Sequence, residues 1–309
     1  MEVAPFQGLT TATMREDYSR TAEGMAMGRA LEQAVAHRER IIHDPFAKEF
    51  LINRHYRRLA GSPLLAYGTL LFLKVWAPGG QEFLAARARL VDDLVVKLSE
   101  EGLEQIVLLG AGFDTMALRI RESLRKVTVF EVDHPATQIV KREVMERINQ
   151  TSKGPENLKF VAVDFEKEDF TQKLCEAGFD PSCRSLIVWL GVSLYLTERT
   201  VANTLEQIST LGGEGTKLVW DYLLAEVING TTTNRDALDK ARRAANLGEP
   251  WLFGLQTSQV PYYVEQFGFH LLKDYDPEEL HQLYCPRRAA PMNYVRIAVC
   301  ERSPSHDQA

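Results

Sequence analysis

From residue 105 onward, short runs of aliphatic residues alternate with segments of helical character, and this alternation restricts the fold more than any other feature. The runs predict strands at 105–109, 126–131, 158–163, 185–190 and 217–221. Helical segments are expected between them at 114–123, 134–149, 168–177 and 198–211. Strands and helices that alternate in this way form a parallel sheet with right-handed crossovers and helices on both faces. We therefore predict an α/β fold with a doubly wound, mostly parallel sheet.

The segments before and after these strands extend the predicted fold. Residues 1–100 form a predicted N-terminal helical cap, with helices at 22–35 and 82–98 and a helix start at Asp44-Pro45. The core is expected to span 101–302 and to include a lid insertion at 222–257. It closes with a helix at 258–267, a strand at 270–275, a helix at 277–283 and a strand at 294–301. We expect residues 303–309 to form a disordered tail.

Composition and charge limit the classes of partner. The 309 residues include 36 Lys and Arg and 42 Asp and Glu, which gives a net charge of -6 without the basic excess of a nucleic-acid-binding protein. The most apolar stretch, 64–77, falls short of the ~20 residues that cross a bilayer, so we expect a buried or lid helix there and no membrane span. A homo-oligomer is compatible with this composition.

The cysteines and the N-terminus indicate a cytoplasmic protein. The chain has four cysteines and no CxxC pair, so structural thiols in a reducing compartment are expected. The first residues lack the basic and apolar runs of a secretory signal. Because the histidines show no metal-ligand spacing, we infer no metal.

Gly110, Ala111 and Gly112 follow the first predicted strand directly and precede a predicted helix. Glycine has no Cβ, so such a turn lets backbone N–H groups approach a ligand closely. A dinucleotide fingerprint would require a third glycine at position 115, which is threonine. About 20 residues further on, Glu131-Val-Asp133 lies where doubly wound folds place a carboxylate on the ribose hydroxyls. The two signals together predict a nucleoside site, although each alone also fits an ordinary turn and a solvated acid.

Two further segments lie after predicted strands at the same edge of the sheet. Asp164 and Phe165 follow the third strand, where a carboxylate can accept the adenine amino group while a ring packs on the base. The alternative is that Asp164 caps the helix that begins near Glu168. Gly191 follows the fourth strand, and the loop after it should face the ligand because open α/β sheets bind ligands beyond the carboxyl ends of their strands.

The motifs in this order resemble the leucine carboxyl methyltransferase-like family of S-adenosylmethionine-dependent methyltransferases, and its bacterial small-molecule branch most closely. They are Gly110-Ala-Gly-Phe-Asp-Thr, Phe130-Glu-Val-Asp-His-Pro, Val163-Asp-Phe and Gly191-Val-Ser-Leu-Tyr-Leu-Thr. Further similarity lies in Ala22-Glu-Gly-Met-Ala-Met-Gly-Arg29, Asp44-Pro-Phe-Ala, Ala86-Arg-Ala-Arg-Leu-Val-Asp92 and Pro250-Trp-Leu-Phe-Gly254. The resemblance implies a class I methyltransferase fold, Rossmann-like, with an N-terminal helical extension and a lid insertion after strand 5.

The resemblance also implies S-adenosylmethionine as cofactor, together with the residues that bind it. Gly110, Ala111 and Gly112 would border the methionine moiety, Asp133 would hold the ribose hydroxyls with Glu131 nearby, and Asp164 and Phe165 would frame the adenine. Arg87 and Arg29 would bind the cofactor carboxylate, for which a planar guanidinium is suited; surface charge on amphipathic helices is their alternative interpretation. Leu190 occupies a cofactor-binding position at which the family commonly has glutamate.

The methyl acceptor is expected to be a small, largely apolar or aromatic metabolite. Tyr18 and Tyr195 are the candidate catalytic residues, and Tyr222, Trp251 and Phe253 are candidates for the substrate pocket, with Tyr262 and Tyr263 as further aromatic surface. Each of these aromatic residues could instead belong to the core. Methylation at oxygen is the default, because a carboxylate acceptor needs no base. Methylation at carbon is the alternative, since aromatic faces could stabilise a carbocation.

Three other functions compete with this prediction. A protein C-terminal carboxylate could be the acceptor, which would require a groove for a peptide. A nicotinamide-dependent oxidoreductase would use the same fold, but the missing third glycine counts against it. A non-catalytic protein could keep the fold and the cofactor site without turnover.

Overall fold

The computed structural model describes residues 18–151, 155–165 and 167–303. In these residues the strands are β1 (Gln105–Leu109), β2 (Thr128–Asp133), β3 (Leu158–Ala162), β4 (Ser185–Trp189), β5 (Lys217–Leu224), β6 (Gly254–Leu255), β7 (Phe269–Tyr275) and β8 (Val295–Arg302). They form one sheet in the order β3-β2-β1-β4-β5-β8-β7, and β6 pairs with the end of β5.

β1 lies between β2 and β4 near the middle of the sheet. It is parallel to both, with Gln105 opposite Thr128 on one side and Ser185 on the other. β3 and β5 extend the parallel part, whereas β8 is antiparallel to both β5 and β7. The strand order changes direction between β1 and β4, which is where open α/β sheets form a ligand crevice.

Helices precede the sheet and cover its faces. The helices in the described residues are α1 (Arg20–Leu31), α2 (Arg54–Gly61), α3 (Pro63–Trp76), α4 (Gly80–Glu100), α5 (Met116–Arg119), α6 (Pro135–Thr151), α7 (Phe170–Glu176), α8 (Glu198–Ser209), α9 (Ala225–Ile228), α10 (Arg235–Asn246), α11 (Val260–Glu265) and α12 (Pro277–Tyr284). Short 3-10 turns connect several of them.

The core has two layers because successive side chains of a strand point to opposite faces. Ile106 and Leu108 of β1 pack with α4 and α12, and Val107 and Leu109 pack with α8 and α11. A third apolar cluster joins α1 to the segment after β1 through Phe113. α1 is thereby held against the end of the sheet that carries the glycine turn.

Polar side chains start the helices that border this end of the sheet. Ser19 Oγ accepts a hydrogen bond of 3.0 Å from Ala22 N at the start of α1. Thr197 Oγ1 does the same for Thr200 N at the start of α8. Such caps satisfy backbone donors that have no partner within the helix.

The predicted fold class and strand set agree with the structure to within a few residues at each boundary. β5 is the largest departure, since the strand was expected to end at residue 221 and runs to Leu224. It continues because β8 pairs with it as far as Leu223, opposite Val295. Residues 222–224 therefore belong to the sheet and not to an insertion.

Two predictions for the N-terminal cap are wrong in part. Asp44-Pro45 does not start an α-helix: Asp44 Oδ1 accepts from Ala47 N at 3.1 Å, and only a short 3-10 turn over Ala47–Phe50 follows. The apolar stretch 64–77 does form a helix, α3, but most of its large side chains are exposed and not buried.

The predicted tail lies mostly outside the described residues, which end at 303. Ser303 itself is attached to the fold, since its N–H donates to the Gly268 carbonyl at 2.8 Å.

Candidate active site

The turn after β1 requires glycine at two positions. Gly110 and Gly112 have φ values of +70° and +50°, a region that side-chain-bearing residues rarely adopt. A Cβ on Gly110 would lie 2.6 Å from Val192 Cγ2, and a Cβ on Gly112 would lie 2.9 Å from Ala22 Cβ. Ala111 between them is buried in the core. The loop after β4 and helix α1 thus close on this turn from two sides.

Asp133, at the end of β2, is bonded directly to the glycine turn. Its Oδ2 accepts from Gly112 N, and its Oδ1 accepts from His134 N at 2.7 Å. Burial raises the pKa of this carboxyl, and the two N–H donors oppose that rise. Each carboxylate oxygen can accept a second hydrogen bond, so the group can still bind a diol.

Glu131 lies two residues earlier but turns into the protein. Its carboxylate is buried and forms an ion pair of 2.6 Å with Lys141 of α6. Burial raises the pKa of Glu131 to about 7, although Lys141 favours the charged form. The side chain lies beneath the crevice and leaves no surface for a ribose, in contrast to the expectation from the sequence.

Asp164 and Phe165 lie just after β3, at the edge of the same crevice. The Asp164 carboxylate forms a 2.6 Å ion pair with Lys167, and the Phe165 ring is 46% exposed with its centroid 6.0 Å from that of Phe170. The helix that follows, α7, is capped by Asp169, whose Oδ1 accepts from Thr171 N. The alternative role of Asp164 as its N-cap is therefore wrong.

Arg87 reaches the loop after β4 from α4. Its Nη1 forms a 2.5 Å ion pair with Asp221 Oδ2, and Asp221 Oδ1 accepts from Gly191 N at 2.7 Å. The guanidinium lies so close to Gly191 that a Cβ there would be 3.2 Å from Nη1. Nη2 lies 3.9 Å from Met25 Sδ of α1. Arg87 is 15% exposed and Asp221 only 2%, so the guanidinium is the part of this pair that solvent reaches.

Leu190, at the position where glutamate was expected, is partly buried and packs against the apolar layer around β1. The carboxylate that approaches this loop comes instead from Asp221 on the neighbouring strand β5. Asp221 is not among the predicted site residues, because it belongs to no motif and lies at the end of a predicted strand. Its charge in the middle of an otherwise apolar strand is the signal that could have found it.

Arg29 is engaged inside the protein. Its Nε donates to Asp44 Oδ2 at 2.9 Å, and its Nη2 donates to the Phe113 carbonyl at 2.6 Å. The side chain is almost fully buried. In the structure it holds α1 against the glycine turn, which differs from the predicted contact with a cofactor carboxylate.

A second buried arginine completes a charge cluster beneath the turn. Arg119 of α5 forms ion pairs with Asp92 at 2.7 Å and Asp114 at 3.1 Å, and Thr115 Oγ1 donates to Asp44. Burial alone would raise the pKa of Asp114, but the arginines hold it well below its usual range. We call Arg29, Arg119, Asp44, Asp92 and Asp114 the buried ionic cluster; Asp114 is its most exposed member, with 30% of its side chain accessible to solvent. Asp44, Asp92 and Asp114 come from three separate sequence motifs, and the cluster gives all three the same role as partners of buried arginines.

Tyr18 precedes α1 and Tyr195 follows β4. Tyr18 donates to Glu23 Oε2 at 2.7 Å and its ring stacks on Phe113 at 5.8 Å. Burial and Glu23 raise the pKa of Tyr18 to about 12. The pKa of Tyr195, in a 3-10 turn after β4, is also raised by burial and by Glu249. Both phenols therefore stay protonated at neutral pH.

The lid segment meets both sides of the crevice. Thr21 Oγ1 of α1 donates to the Glu249 carboxylate at 2.7 Å, and Leu252 N donates to the Leu194 carbonyl at 2.7 Å. Trp251, between them, is partly buried, with its ring 5.9 Å from that of Tyr294. α1 and the segment around residue 250 thus close over the loop that follows β4.

The other two predicted pocket residues, Tyr222 and Phe253, lie in the core and not in the crevice. Tyr222 is completely buried and donates to Asp274 Oδ2 at 2.9 Å, and Phe253 is buried against Trp220. Neither side chain presents surface to a substrate, because β5 continues through residue 222 and the Phe253 ring faces the core. Tyr263 packs in the same cluster, and Tyr262 is exposed on α11. Among the described residues, no group of three or more His, Cys, Asp or Glu could hold a metal ion.

The fold is that of the Rossmann-like class I methyltransferases. A solved structure of a proposed methyltransferase from Thermobifida fusca superposes with a TM-score of 0.55 at 16% identity, covering 78% of this chain and 89% of that one. A DUF574 family protein from Streptomyces avermitilis gives 0.57 at 13% identity, covering 94% and 100%. At these identities the likeness concerns the fold alone.

The family follows from sequence comparison. A family model described as leucine carboxyl methyltransferase matches residues 22–209, and the chain belongs to that family. YktD of Bacillus subtilis, a proposed S-adenosyl-L-methionine-dependent methyltransferase, is 30% identical over 187 residues, which are 60% of each chain. A proposed methyltransferase of the same kind from Mycolicibacterium paratuberculosis is 29% identical over 241 residues, 75% of this chain and 71% of that protein. The predicted family and fold class are confirmed, and these names agree with the predicted cofactor.

Proposed function

We propose that this chain binds S-adenosylmethionine across the carboxyl ends of β1, β2 and β4 and transfers its methyl group to a small, largely apolar or aromatic metabolite. The observation that carries the proposal is the placement of one hydrogen-bond acceptor and one donor beside two different loops of the crevice. Asp133 is bonded to the Gly112 turn at one end, and Arg87 is held at Gly191 at the other. An acceptor for a diol and a donor for a carboxylate fit the ribose and the amino-acid end of this cofactor.

The residues of the crevice fit S-adenosylmethionine. A Cβ on Gly110 or Gly112 would fill the space beside the turn. Because both residues are glycine, the backbone of the turn can lie directly against the cofactor. Asp133 would accept from the ribose hydroxyls, and Asp164 and Phe165 would border the adenine. Arg87 would donate to the carboxylate, and Asp221 would keep the guanidinium oriented and provide the negative charge that Leu190 lacks.

The bound cofactor supplies an activated methyl group on a sulfonium, so the protein contributes mainly orientation and exclusion of water. α1 and the lid segment, which meet through Thr21 and Glu249, would exclude water above the crevice. Tyr195 would donate a hydrogen bond, whereas the Tyr18 hydroxyl already donates to Glu23 and would only accept one. Neither phenol would remove a proton, because their pKa values are raised.

Protonated phenols favour an acceptor that is nucleophilic without a base. An ionised carboxylate on an apolar or aromatic acid meets this condition, so we propose methylation at oxygen. A protein C-terminus is a less suitable acceptor, since the contact between Thr21 and Glu249 bridges the two sides of the crevice. Cytoplasmic location and a role in secondary metabolism belong to the same proposal.

Calorimetry tests the cofactor site. We expect binding of S-adenosylmethionine and S-adenosylhomocysteine, and no binding of NAD. Arg87→Lys should weaken the affinity because lysine cannot form two parallel hydrogen bonds. Arg89→Lys, two residues further along α4 and exposed in a pair with Asp93, is the matched control and should leave it unchanged. Binding of NAD alone would contradict the proposal.

Isotope labelling tests the acceptor. The protein would be incubated with methyl-labelled cofactor and with a set of aliphatic and aromatic acids, phenols and C-terminal peptides, and the label located by mass spectrometry. Methyl esters of small acids are the expected products. Label on carbon, or on peptide termini alone, would overturn the proposed acceptor class while leaving the cofactor site intact.

A further inference from the structure

α3 is apolar on a face that the described protein leaves uncovered. Its opposite face, with Ala66 and Leu70, is buried against the rest of the N-terminal cap, including α1. The large side chains on the uncovered face are all at least 46% exposed; Leu64 is 80% exposed and Val75 is 86% exposed. We call this surface the apolar patch: Leu64, Tyr67, Leu71, Phe72, Val75 and Trp76. Exposed apolar surface on this scale marks an interaction site.

Basic residues border the apolar patch, and acidic residues are missing from the segment that forms it. Residues 50–81 contain Arg54, Arg57, Arg58 and Lys74 but no Asp or Glu, in a chain whose net charge is -6. The three arginines lie on α2, none of whose residues is buried. At the other end of the patch, the Arg243 guanidinium of α10 lies 4.7 Å from the Trp76 ring centroid. Cations therefore border the patch at both ends.

The bend between α2 and α3 bears on how the two helices would meet a bilayer. No single helix among the described residues is long and apolar enough to span a membrane; α2 and α3 together reach that length and composition, but they bend by 105° at their junction. Segments that enter the headgroup region from one side combine an apolar surface with basic residues, and α3 and α2 supply these two features.

We propose that the apolar patch and the arginines of α2 bind the surface of an anionic lipid bilayer. The patch would insert among the acyl chains, while the arginines would contact lipid phosphates. A second copy of the chain is a poorer occupant. A two-fold interface brings the same surface of both copies together, and residues 50–81, which form this surface, contain no carboxylate to pair with the arginines of the other copy.

The surface is connected to both walls of the crevice. α3 packs on the N-terminal cap that includes α1, and the contact of Trp76 with Arg243 joins it to α10, which leads to the lid residue Glu249. Binding to the bilayer would therefore bring both walls of the crevice near the membrane. Only the delivery of an apolar acceptor from there rests on the proposed function; binding to the bilayer does not.

Flotation with vesicles tests the proposal on the full chain. The chain should float with vesicles of phosphatidylglycerol and phosphatidylcholine in equal parts, should bind vesicles of phosphatidylcholine alone at least about tenfold more weakly, and should be released by added salt, which screens charge. Failure of the native chain to float with the anionic vesicles would overturn the proposal.

Paired variants locate the binding surface. Leu64→Ser/Val75→Ser should reduce flotation at least about tenfold, as should Arg54→Gln/Arg58→Gln through lost attraction to phosphate. Leu272→Ser/Leu283→Ser removes two exposed leucines elsewhere and should leave flotation unchanged. Equal losses in all three variants would overturn the assignment. So would a patch variant that changes a dimer to a monomer in sedimentation equilibrium while vesicle binding is unchanged.

Fluorescence gives a readout that needs no destabilising change. Of the four tryptophans, Trp189 and Trp220 are buried and Trp251 is partly buried, whereas Trp76 is half exposed. Brominated lipids should quench the emission of the native chain, and Trp76→Phe should abolish most of this quenching. Unquenched emission on bound vesicles would contradict insertion of the patch. Calorimetry of cofactor binding to the same variants separates this result from a failure of the proposed function.

Discussion

The carboxylate of Asp133 accepts a hydrogen bond from the backbone N–H of Gly112, so the end of β2 and the turn after β1 form one unit. This bond fixes the carboxylate beside the turn before any ligand arrives. Because burial raises the pKa of Asp133, keeping the charge depends on the two backbone donors. The ends of the two strands therefore depend on each other for the shape of the site.

Asp133→Ala should weaken S-adenosylmethionine binding by roughly 10- to 100-fold, since a hydrogen bond to a charged group contributes about 1.5–3 kcal/mol. Asp133→Asn should weaken it less, because an amide oxygen can still accept one bond. Calorimetry measures both affinities, and circular dichroism checks that each variant is folded. Equal affinities for the native chain and the alanine variant would remove Asp133 from the cofactor site.

Gly110→Ala should destabilise the fold by about 1–3 kcal/mol and abolish cofactor binding. The new Cβ would lie 2.6 Å from Val192 Cγ2 on a backbone with φ of +70°. Adding Val192→Ala should restore part of the stability, since it removes the clash but not the backbone strain. Gly24→Ala is the control: its Cβ meets no atom within 4 Å, and helix α1 should gain about 0.5–1 kcal/mol. Denaturant unfolding measures all three.

Asp221→Asn tests whether the ion pair with Arg87 orients the guanidinium. The amide can still accept from Gly191 N, so the loop after β4 should keep its position while Arg87 loses its charged partner. We expect about tenfold weaker cofactor binding and a normal unfolding transition. Tighter binding would show instead that Asp221 competes with the cofactor carboxylate for Arg87.

The sequence predicts the parts of this site that lie close together in the chain or at the ends of neighbouring strands. The glycine turn and Asp133 follow two strands that pair in parallel, so the fold class alone brings them to the same edge. Asp221 and Arg87 are 134 residues apart, and no periodic pattern relates a residue in the middle of a strand to one on a distant helix. Long-range pairs of this kind need the structure.

The partner that a side chain meets is the second property that the sequence does not give. Glu131 and Asp133 lie on the same strand two residues apart, yet only Asp133 borders the crevice. Glu131 meets Lys141 beneath it because α6 crosses that face of the sheet. Likewise, Arg29 fits the pattern of a surface arginine on a helix, and its burial depends on Asp44, which lies in a separate turn.

Arg119→Met should destabilise the protein by about 3–5 kcal/mol, because it leaves Asp92 and Asp114 in the buried ionic cluster without their shared cation. Arg125→Met, an exposed arginine paired with Glu122 on the surface, should cost less than about 1 kcal/mol. Urea unfolding followed by fluorescence compares the two. Similar losses in both variants would show that the cluster contributes no more than a surface ion pair.

The pair of Glu131 and Lys141 should make stability depend on pH in a definite direction. Burial raises the pKa of Glu131 from 4.5 to about 7 in the folded protein. The folded state therefore binds more protons than the unfolded state between these two values, so the contribution of this group to the free energy of unfolding falls as pH rises through that window and is constant above it.

The double variant Glu131→Gln/Lys141→Met removes this titration without leaving a lone charge in the core. Its free energy of unfolding, measured in urea at several pH values between 4.5 and 7, should fall less steeply with pH than that of the native chain. The other buried acids, such as Asp92 and Asp133, are present in both proteins and cancel in the comparison. Parallel curves would show that Glu131 titrates at its ordinary value and that Lys141 fully offsets its burial.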